Sequence, residues 1–166
     1  MDRLTQAQRS RLMAAVKGRN TGPERIVRKL VHALGYRFRL QKRGLPGTPD
    51  LVLSRLRAVI LVHGCFWHAH SCRWGREPRS NKAYWREKRR QNRTRDRRTV
   101  AALRRRGWRV LVVWGCQTKT FGRLRTRVLA FLTSCERPAL YSEHPRAPGE
   151  TLPVTSWRSP KSREKR

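Results

Sequence analysis

The segment AVILVHGCFWHAHSC, residues 58–72, decides the fold of this chain. Residues 58–62 are apolar without alternation, which predicts a strand inside a sheet with both of its faces covered. The rest of the segment crowds together histidines, cysteines and two adjacent aromatic residues. Three interpretations are open from this segment alone: a metal site, a catalytic site, or a surface that grips a flat partner.

Helices and strands alternate on both sides of this strand. Residues 21–35 have Thr21 as an N-cap, Glu24 at the capping-box position and Gly35 as a stop, so they predict a helix, with Ile26 on its apolar face. The other predicted helices cover residues 4–16, 81–106 and 121–134, and the other predicted strands cover residues 36–40, 50–53 and 108–114. This order of elements predicts an α/β fold.

Three further expectations concern the organisation of the chain. Residues 81–106 are predicted to form two helices that meet near Asn92, and residues 108–114 are predicted to be a second doubly covered strand. Residues 136–166 are rich in proline, serine and charge, which is typical of a flexible tail. We therefore expect a single domain over residues 1–135, followed by a basic tail.

The charge of the chain points to its partner. The sequence has 41 lysines and arginines against 10 acidic residues, a formal net charge of +31. Such a charge favours a polyanion as the partner, and its spread along the whole chain favours nucleic acid over a membrane surface. The sequence shows neither an apolar run of membrane-spanning length nor the apolar core of a secretory signal, so we expect a cytoplasmic protein.

Carboxylates are scarce, and any site for a hard divalent cation must draw on them. Asp50 opens a predicted strand beside the one that ends at His63, and it is equally well explained as a metal ligand or as a turn residue. Glu24 is explained by the capping box alone. Asp96 lies among arginines, so we expect it to pair with them on a helix face.

Cysteine and histidine are the usual ligands of Zn²⁺. If the strands over 58–62 and 108–114 are parallel neighbours, their carboxyl ends meet, and Cys116 lies beside the histidine-rich segment. A closed set of one histidine and three cysteines then predicts a structural zinc site: Cys65, His70, Cys72 and Cys116. The alternative is a pair of reduced core cysteines with exposed histidines.

The residues left over in this segment suggest chemistry on a phosphodiester. His63 and His68 are free for acid–base catalysis beside a metal-activated water. Phe66 and Trp67 lie between polar residues, where they are available to stack on bases or to wedge between them. Alternatively, these two rings only shield the zinc ion.

Four segments resemble, in order and spacing, the very short patch mismatch repair endonucleases: GTPDLVL (47–53), VHGCFWHAHSC (62–72), YWREKRRQNRTRDRR (84–98) and GWRVLVVWGC (107–116). The resemblance extends over nearly all of residues 5–135. It implies a mixed central sheet flanked by helices, as in type II restriction enzymes. It also implies a Mg²⁺-dependent enzyme that nicks one strand on the 5′ side of the T in T·G mismatches left by deamination of 5-methylcytosine.

The resemblance also implies roles for individual residues. Asp50 and the backbone carbonyl of Val62 would bind Mg²⁺, His63 and His68 would be catalytic, and Glu24 would support them. Zinc ligands are implied at Cys65, His70, Cys72 and Cys116, and DNA-intercalating side chains at Met13, Phe66, Trp67 and Trp85. The expected partner is double-stranded DNA with a T·G mismatch, bound by a monomer in the bacterial nucleoid, with mismatch-repair proteins as further candidates.

Two departures from familiar patterns stand out. Val62 occupies a position that is often threonine in the family, and LVH (61–63) replaces the acidic-x-Lys element of restriction enzymes. Two other functions are open on sequence grounds: a non-catalytic DNA-binding module stabilised by zinc, and a restriction endonuclease that cuts both strands.

Overall fold

A computed structural model describes residues 5, 8, 11, 18–78 and 80–136. Over residues 18–78 and 80–136, the helices are α1 (Gly22–Ala33), α2 (Lys82–Arg105) and α3 (Phe121–Glu136), and the strands are β1 (Arg39–Leu40), β2 (Leu51–Leu53), β3 (Ala58–His63) and β4 (Arg109–Trp114). Short 3₁₀ turns occur at Ser54–Leu56, Arg73–Gly75 and Gly115–Lys119. Met13 and the tail after Glu136 lie outside the described residues, so the predicted boundary between domain and tail stays a prediction.

The strands form one mixed sheet in the order β1-β2-β3-β4. The pairs β1–β2 and β2–β3 are antiparallel, whereas β3–β4 is parallel, with His63 opposite Trp114. β3 is an interior strand and is buried along nearly its whole length, as predicted. The expectation that β4 is a central strand like β3 is wrong, because β4 lies at the edge of the sheet among the described strands. Both of its faces are covered, as predicted: Leu111 and Val113 are buried on one face, and Val110 and Val112 are partly buried on the other.

Helices cover both faces of the sheet, which confirms the predicted α/β architecture. On one face, α1 and α3 pack against β2, β3 and β4 through a core that includes Val31, Ile60 and Val128. On the other face, Leu103 of α2 packs against Val59 of β3. Ile26 was expected in this core, but it is 37% exposed, because α1 turns its Val27, Leu30 and Val31 side inward.

Three predicted elements have different limits in the structure. The strand expected over residues 36–40 is regular only at Arg39–Leu40. The expected break near Asn92 is absent, and α2 is a single helix of 24 residues. Asn92 is buried there, and its side-chain amide donates a hydrogen bond to the carbonyl of Trp67 at 2.9 Å, so its polarity serves a tertiary contact. In the region predicted as a helix over 4–16, Thr5 and Gln8 exchange the two expected capping-box hydrogen bonds.

The topology brings the histidine-rich segment to two other parts of the chain. Because β2 runs antiparallel to β3, Asp50 at the start of β2 lies beside the end of β3. Because β4 runs parallel to β3, Cys116 follows β4 at the same end of the sheet. No helix in the described part of the chain is long and apolar enough to cross a bilayer.

Candidate active site and metal centre

Asp50 is held against the end of β3 by a backbone hydrogen bond. Its carboxylate accepts a hydrogen bond from the Val62 N–H at 2.7 Å. The pKa of Asp50 is raised to about 6, chiefly by burial and also by the negative charge of Glu24, while the Val62 hydrogen bond acts in the opposite direction. A cation beside this carboxylate would favour its charged form, so the chemistry of the position fits a Mg²⁺ ligand.

Glu24 is almost fully buried at the start of α1. Its carboxylate accepts hydrogen bonds from the hydroxyl of Thr21 at 2.9 Å and from the guanidinium of Arg28 at 2.6 Å, and the capping box predicted from sequence is present. Since its charge also affects Asp50, Glu24 lies within electrostatic reach of the site as well as closing the helix N-terminus.

His63 and His68 stack on one another with ring centroids 4.2 Å apart and planes only 7° from parallel. His63 ends β3 and is buried, whereas His68 lies in the loop that follows. The pKa of His63 is lowered to about 4, chiefly by burial and also by the neighbouring His68. His63 is therefore neutral at physiological pH.

Asp96 of α2 completes this group, because its carboxylate pairs with Nδ1 of His68. Burial acts to raise the pKa of Asp96, but the hydrogen bond and the charge of His68 outweigh burial, and the pKa is lowered. The expectation that Asp96 only pairs with arginines is wrong, since the nearest guanidinium, that of Arg95, is 3.8 Å away and the histidine is the closer partner. A carboxylate at Nδ1 fixes the tautomer and orientation of the imidazole and leaves Nε2 for chemistry.

A second group of side chains could hold a metal ion. The ligand atoms of Cys65, His70, Cys72 and Cys116 all lie within 4.8 Å of one another. Sγ of Cys116 is 3.6 Å from Nδ1 of His70, close to the edge of roughly 3.8 Å that a tetrahedron with Zn–S bonds of ~2.3 Å has. Donor type and spacing therefore both fit a tetrahedral Zn²⁺ site, and the parallel pairing predicted for β3 and β4 is what brings Cys116 to it.

The surroundings of this cluster hold its ligands in place. The backbone N–H of Cys116 donates to Sγ of Cys65 at 3.2 Å. Burial raises the pKa of Cys65 to about 12, whereas a hydrogen bond with His70 lowers that of Cys72 to about 6. Gly75 allows the loop to close on itself, because a Cβ there would stand 1.9 Å from the carbonyl oxygen of His70.

Trp114 connects the two groups, a contact that the sequence analysis did not anticipate. Its ring stacks on His70 at a centroid distance of 4.4 Å and meets His63 edge-on at 5.4 Å. The last residue of β4 therefore packs between a candidate metal ligand and a candidate catalytic side chain. Its place opposite His63 in the strand register is the signal that points to this contact.

Phe66, Trp67 and Trp85 form an aromatic cluster beside the histidines. Phe66 and Trp67 meet edge-to-face at 5.2 Å, and Trp85 of α2 lies 5.0 Å from Phe66 and 5.8 Å from Trp67. All three rings are partly exposed. The structure thus brings together three of the four side chains predicted to intercalate, and the fourth, Met13, lies outside the described residues.

Comparisons with known proteins point in one direction. Residues 1–74 match the family described as DNA mismatch endonuclease Vsr. The type II nicking enzyme V.XorIIP of Xanthomonas oryzae pv. oryzae is 51% identical over 127 residues, which cover 76% of this chain and 93% of the relative. The DNA mismatch endonuclease Vsr of Escherichia coli K12 is 44% identical over 110 residues, 66% of this chain and 70% of the relative.

Among solved structures, the catalytic domain of the homing endonuclease I-Bth0305I is similar, with a TM-score of 0.50 and 16% sequence identity. The match covers 71% of this chain and 100% of that domain. At this identity the likeness concerns the fold, and it agrees with a nuclease-like mixed sheet.

Proposed function

The chain belongs to the Vsr family of DNA mismatch endonucleases, and on that premise we propose that this endonuclease is Mg²⁺-dependent and nicks one strand on the 5′ side of the T in T·G mismatches. Such mismatches arise when 5-methylcytosine is deaminated, and the nick would start a short patch of repair. That the partner is DNA follows from the family, while the duplex, the mismatch and the strand that is cut belong to the proposal.

One observation carries the proposal: the carboxylate of Asp50, the stacked pair of His63 and His68, and the aromatic cluster all lie at one end of the sheet. The carboxylate can bind a metal ion and the histidines can transfer protons, and phosphodiester hydrolysis requires both. The aromatic rings can insert between base pairs and so open a base-pair step. A non-catalytic DNA-binding module would have no use for an oriented histidine–aspartate pair next to a buried carboxylate.

Asp50 and the backbone carbonyl of Val62 would hold the Mg²⁺ ion, with Glu24 and Arg28 setting the charge around them. When bound, Mg²⁺ polarises a phosphoryl oxygen and favours ionisation of a bound water. Because acidic residues are scarce in this basic chain, few side chains other than Asp50 could supply a carboxylate ligand for Mg²⁺.

His68 would act as the general base. With Nδ1 engaged by Asp96, its Nε2 accepts a proton from the attacking water. The water oxygen would form a bond to phosphorus, the bond to one bridging oxygen would break, and that oxygen would leave as a hydroxyl after taking up a proton from a solvent water. His63, neutral and stacked on His68, keeps the base in position and offers a hydrogen bond to the phosphate.

We assign Zn²⁺ to the cluster of Cys65, His70, Cys72 and Cys116, in a structural role. A set of four protein ligands leaves no open coordination position, as is usual for structural zinc. The ion would hold the loop between β3 and α2, so that the aromatic cluster enters DNA with little loss of entropy. Met13 would enter from the opposite groove.

The test is a nicking assay on end-labelled duplexes with either a T·G pair or the matched C·G pair, with and without Mg²⁺. We expect a nick in the T-containing strand alone, only with the mismatch and only with Mg²⁺. Cleavage of both strands in matched DNA would identify a restriction endonuclease, and binding without cleavage would identify a non-catalytic module. We expect a monomer acting in the bacterial cytoplasm, and addition of mismatch-repair proteins to the same assay tests them as partners.

A further inference from the structure

We propose that a groove leading away from the catalytic histidines is a phosphate track, which holds the sugar–phosphate backbone on one side of the T·G mismatch. We call it the arginine groove. It is lined by Arg93, Arg97 and Arg104 of α2, by Arg127 of α3, by Val100, Val112 and Trp114, and by the catalytic group of His63, His68 and Asp96. The proposal rests on the proposed function and specifies how the DNA lies on the enzyme.

The three arginines of α2 point in nearly the same direction. At about 100° per residue, Arg97 is rotated by about 40° and Arg104 by about 20° from Arg93 around the helix axis. Each is exposed. A charged stripe of this kind on one helix face gives a polyanion a continuous surface, whereas arginines scattered around the helix would not.

The guanidinium groups of these arginines are also free to bind a ligand. Within the described residues, neither a hydrogen bond nor an ion pair involves the guanidinium of Arg93, Arg97 or Arg104. The groove encloses about 600 Å³, far more space than the ~30 Å³ that one water takes up. Unpaired cations around an open groove therefore favour an anionic chain as the ligand over a single ion.

A neighbouring cavity on the other side of the 69–71 loop provides a contrast. It shares Arg93 and Arg97 with the arginine groove, but three of its four other arginines are already engaged by the protein. Arg86 pairs with Glu77 at 2.7 Å, Arg90 pairs with Glu87 at 2.8 Å, and Arg89 donates to the carbonyl of Gly75. Those guanidinium groups stabilise the fold around the metal centre, so the arginine groove is the better candidate for phosphate binding.

The dimensions of the groove suit a strand of DNA. Arg93 and Arg104 are 11 residues apart, which is about 16 Å along a helix. One strand of B-DNA presents a phosphate about every 3.4 Å along its axis, so this length matches about five nucleotides. Arg127 of α3 also lines the groove and donates hydrogen bonds to the carbonyl of Val112 at 3.0 Å and to the side-chain oxygen of Gln117, which places a further cation beside β4, the edge strand among the described strands.

The helix itself supplies a matched control. Arg98 and Arg105 have the same spacing as Arg97 and Arg104, are likewise exposed and lie about 100° further around α2. We would compare the double variants Arg97→Ala/Arg104→Ala and Arg98→Ala/Arg105→Ala, which lose the same charge. Affinity for a T·G duplex is measured by fluorescence anisotropy over a range of salt concentrations, with circular dichroism and zinc content as checks of folding.

We expect the Arg97/Arg104 variant to lower the slope of log K against log salt by about 2, since each phosphate contact contributes about 0.9. The Arg98/Arg105 variant should lower the slope by much less. On two duplexes that are shortened on one or the other side of the mismatch, the loss should persist on one and vanish on the other.

Equal losses for the two double variants, an unchanged slope, or the same loss on all three duplexes would each overturn the proposal. The test reads binding alone and compares variants with one another. A wild-type enzyme that failed to nick T·G duplexes would therefore contradict the proposed function without deciding whether the arginine groove binds phosphates.

Discussion

The carboxyl group of Asp50 is partly buried at the start of β2, where it accepts the Val62 N–H. Burial raises its pKa to about 6, so at neutral pH the metal-free protein carries a negative charge on a partly buried carboxylate, which costs free energy. A cation would relieve that cost on binding. A position that is unfavourable without metal and favourable with it is typical of a functional site.

Because the charge of Asp50 is unfavourable without metal and needed to bind metal, we predict that Asp50→Asn inactivates the enzyme and stabilises the metal-free protein. Between the ordinary pKa of 3.8 and about 6, the native state holds more protons than the unfolded chain, so wild-type stability falls as pH rises through this window. At about 1.4 kcal/mol per pKa unit, the penalty at neutral pH is of order 3 kcal/mol at most. Asparagine still accepts the Val62 hydrogen bond and carries no charge.

The measurement is urea unfolding without Mg²⁺, at pH 4.5 and at pH 7.5, together with nicking assays in Mg²⁺. The variant should be more stable than the wild type at pH 7.5 and by a clearly smaller margin at pH 4.5, bind the T·G duplex and fail to nick it. A variant that is less stable at pH 7.5 would show that Asp50 is a structural residue, and wild-type nicking would remove it from the active site.

The contact of Asp96 with His68 was not predicted from the sequence, and it leads to a second prediction. Asp96→Asn should lower the single-turnover nicking rate at least ~10-fold, because His68 loses the carboxylate that fixes its tautomer. Binding of the T·G duplex should change little. The control is Glu87→Gln, which removes an exposed acid of the same helix that pairs with Arg90. Similar rates for the two variants would exclude a positioning role for Asp96.

These two acids show what single residues reveal from sequence. Asp50 stood out because acids are scarce and because it opens a strand. Asp96 is flanked by arginines in sequence, whereas its actual partner lies 28 residues away, in a loop. A helical repeat gives a hint after the fact, since Asn92 and Asp96 are one turn apart on the same face of α2 and both contact the 67–68 loop.

The aromatic cluster is formed by side chains from two elements of the structure. Phe66 and Trp67 come from the loop after β3, Trp85 comes from the first turn of α2, and Asn92 ties the two elements through the carbonyl of Trp67. A T·G wobble pair is stacked less well than a matched pair, so a wedge held ready by these elements would open that step at a lower cost, on the order of a few kcal/mol.

Trp67→Ala should therefore reduce discrimination between mismatched and matched duplexes more than it reduces non-specific affinity. The control is Trp74→Ala, because Trp74 is exposed near the same loop but is flanked by Arg73 and Lys119 and has no ring contact with the cluster. Both duplexes are to be titrated at one fixed salt concentration, since phosphate contacts alone shift affinity strongly. If Trp67→Ala weakens binding to both duplexes equally, the rings only pack around the metal centre.

At the level of elements, periodicity and capping predicted most of the fold. The capping box at Thr21 and the apolar run at 58–62 both correspond to real elements. Periodicity could not distinguish β3 from β4, because both are apolar runs and only the order of strands in the sheet makes β4 an edge. Likewise, Asn92 suggests a helix break in the sequence, because its hydrogen-bond partner, the carbonyl of Trp67, lies in a loop that is distant in sequence.

Over the whole molecule, a metal ion in the cysteine–histidine cluster would compensate for an unfavourable charge balance. A formal net charge of +31 on 166 residues works against a compact state. The core formed by the sheet and its helices opposes this repulsion on both faces. The cluster of Cys65, His70, Cys72 and Cys116 adds a link between the ends of β3 and β4. Because the unfolded chain has no preformed site, binding of a structural ion contributes directly to folding.

This link predicts that Cys116→Ser loses the bound zinc and lowers the melting temperature, whereas Cys135→Ser does neither. Cys116 reaches the cluster from the end of β4, so losing its thiolate frees the loop from that strand. Cys135 lies in α3 beside the core and takes no part in the cluster. Zinc per chain is to be measured by atomic absorption on dialysed protein, with thermal unfolding before and after chelation. One zinc ion retained in both variants would refute the assignment of Cys116, and an equal loss in both would show that any thiol substitution disturbs the fold.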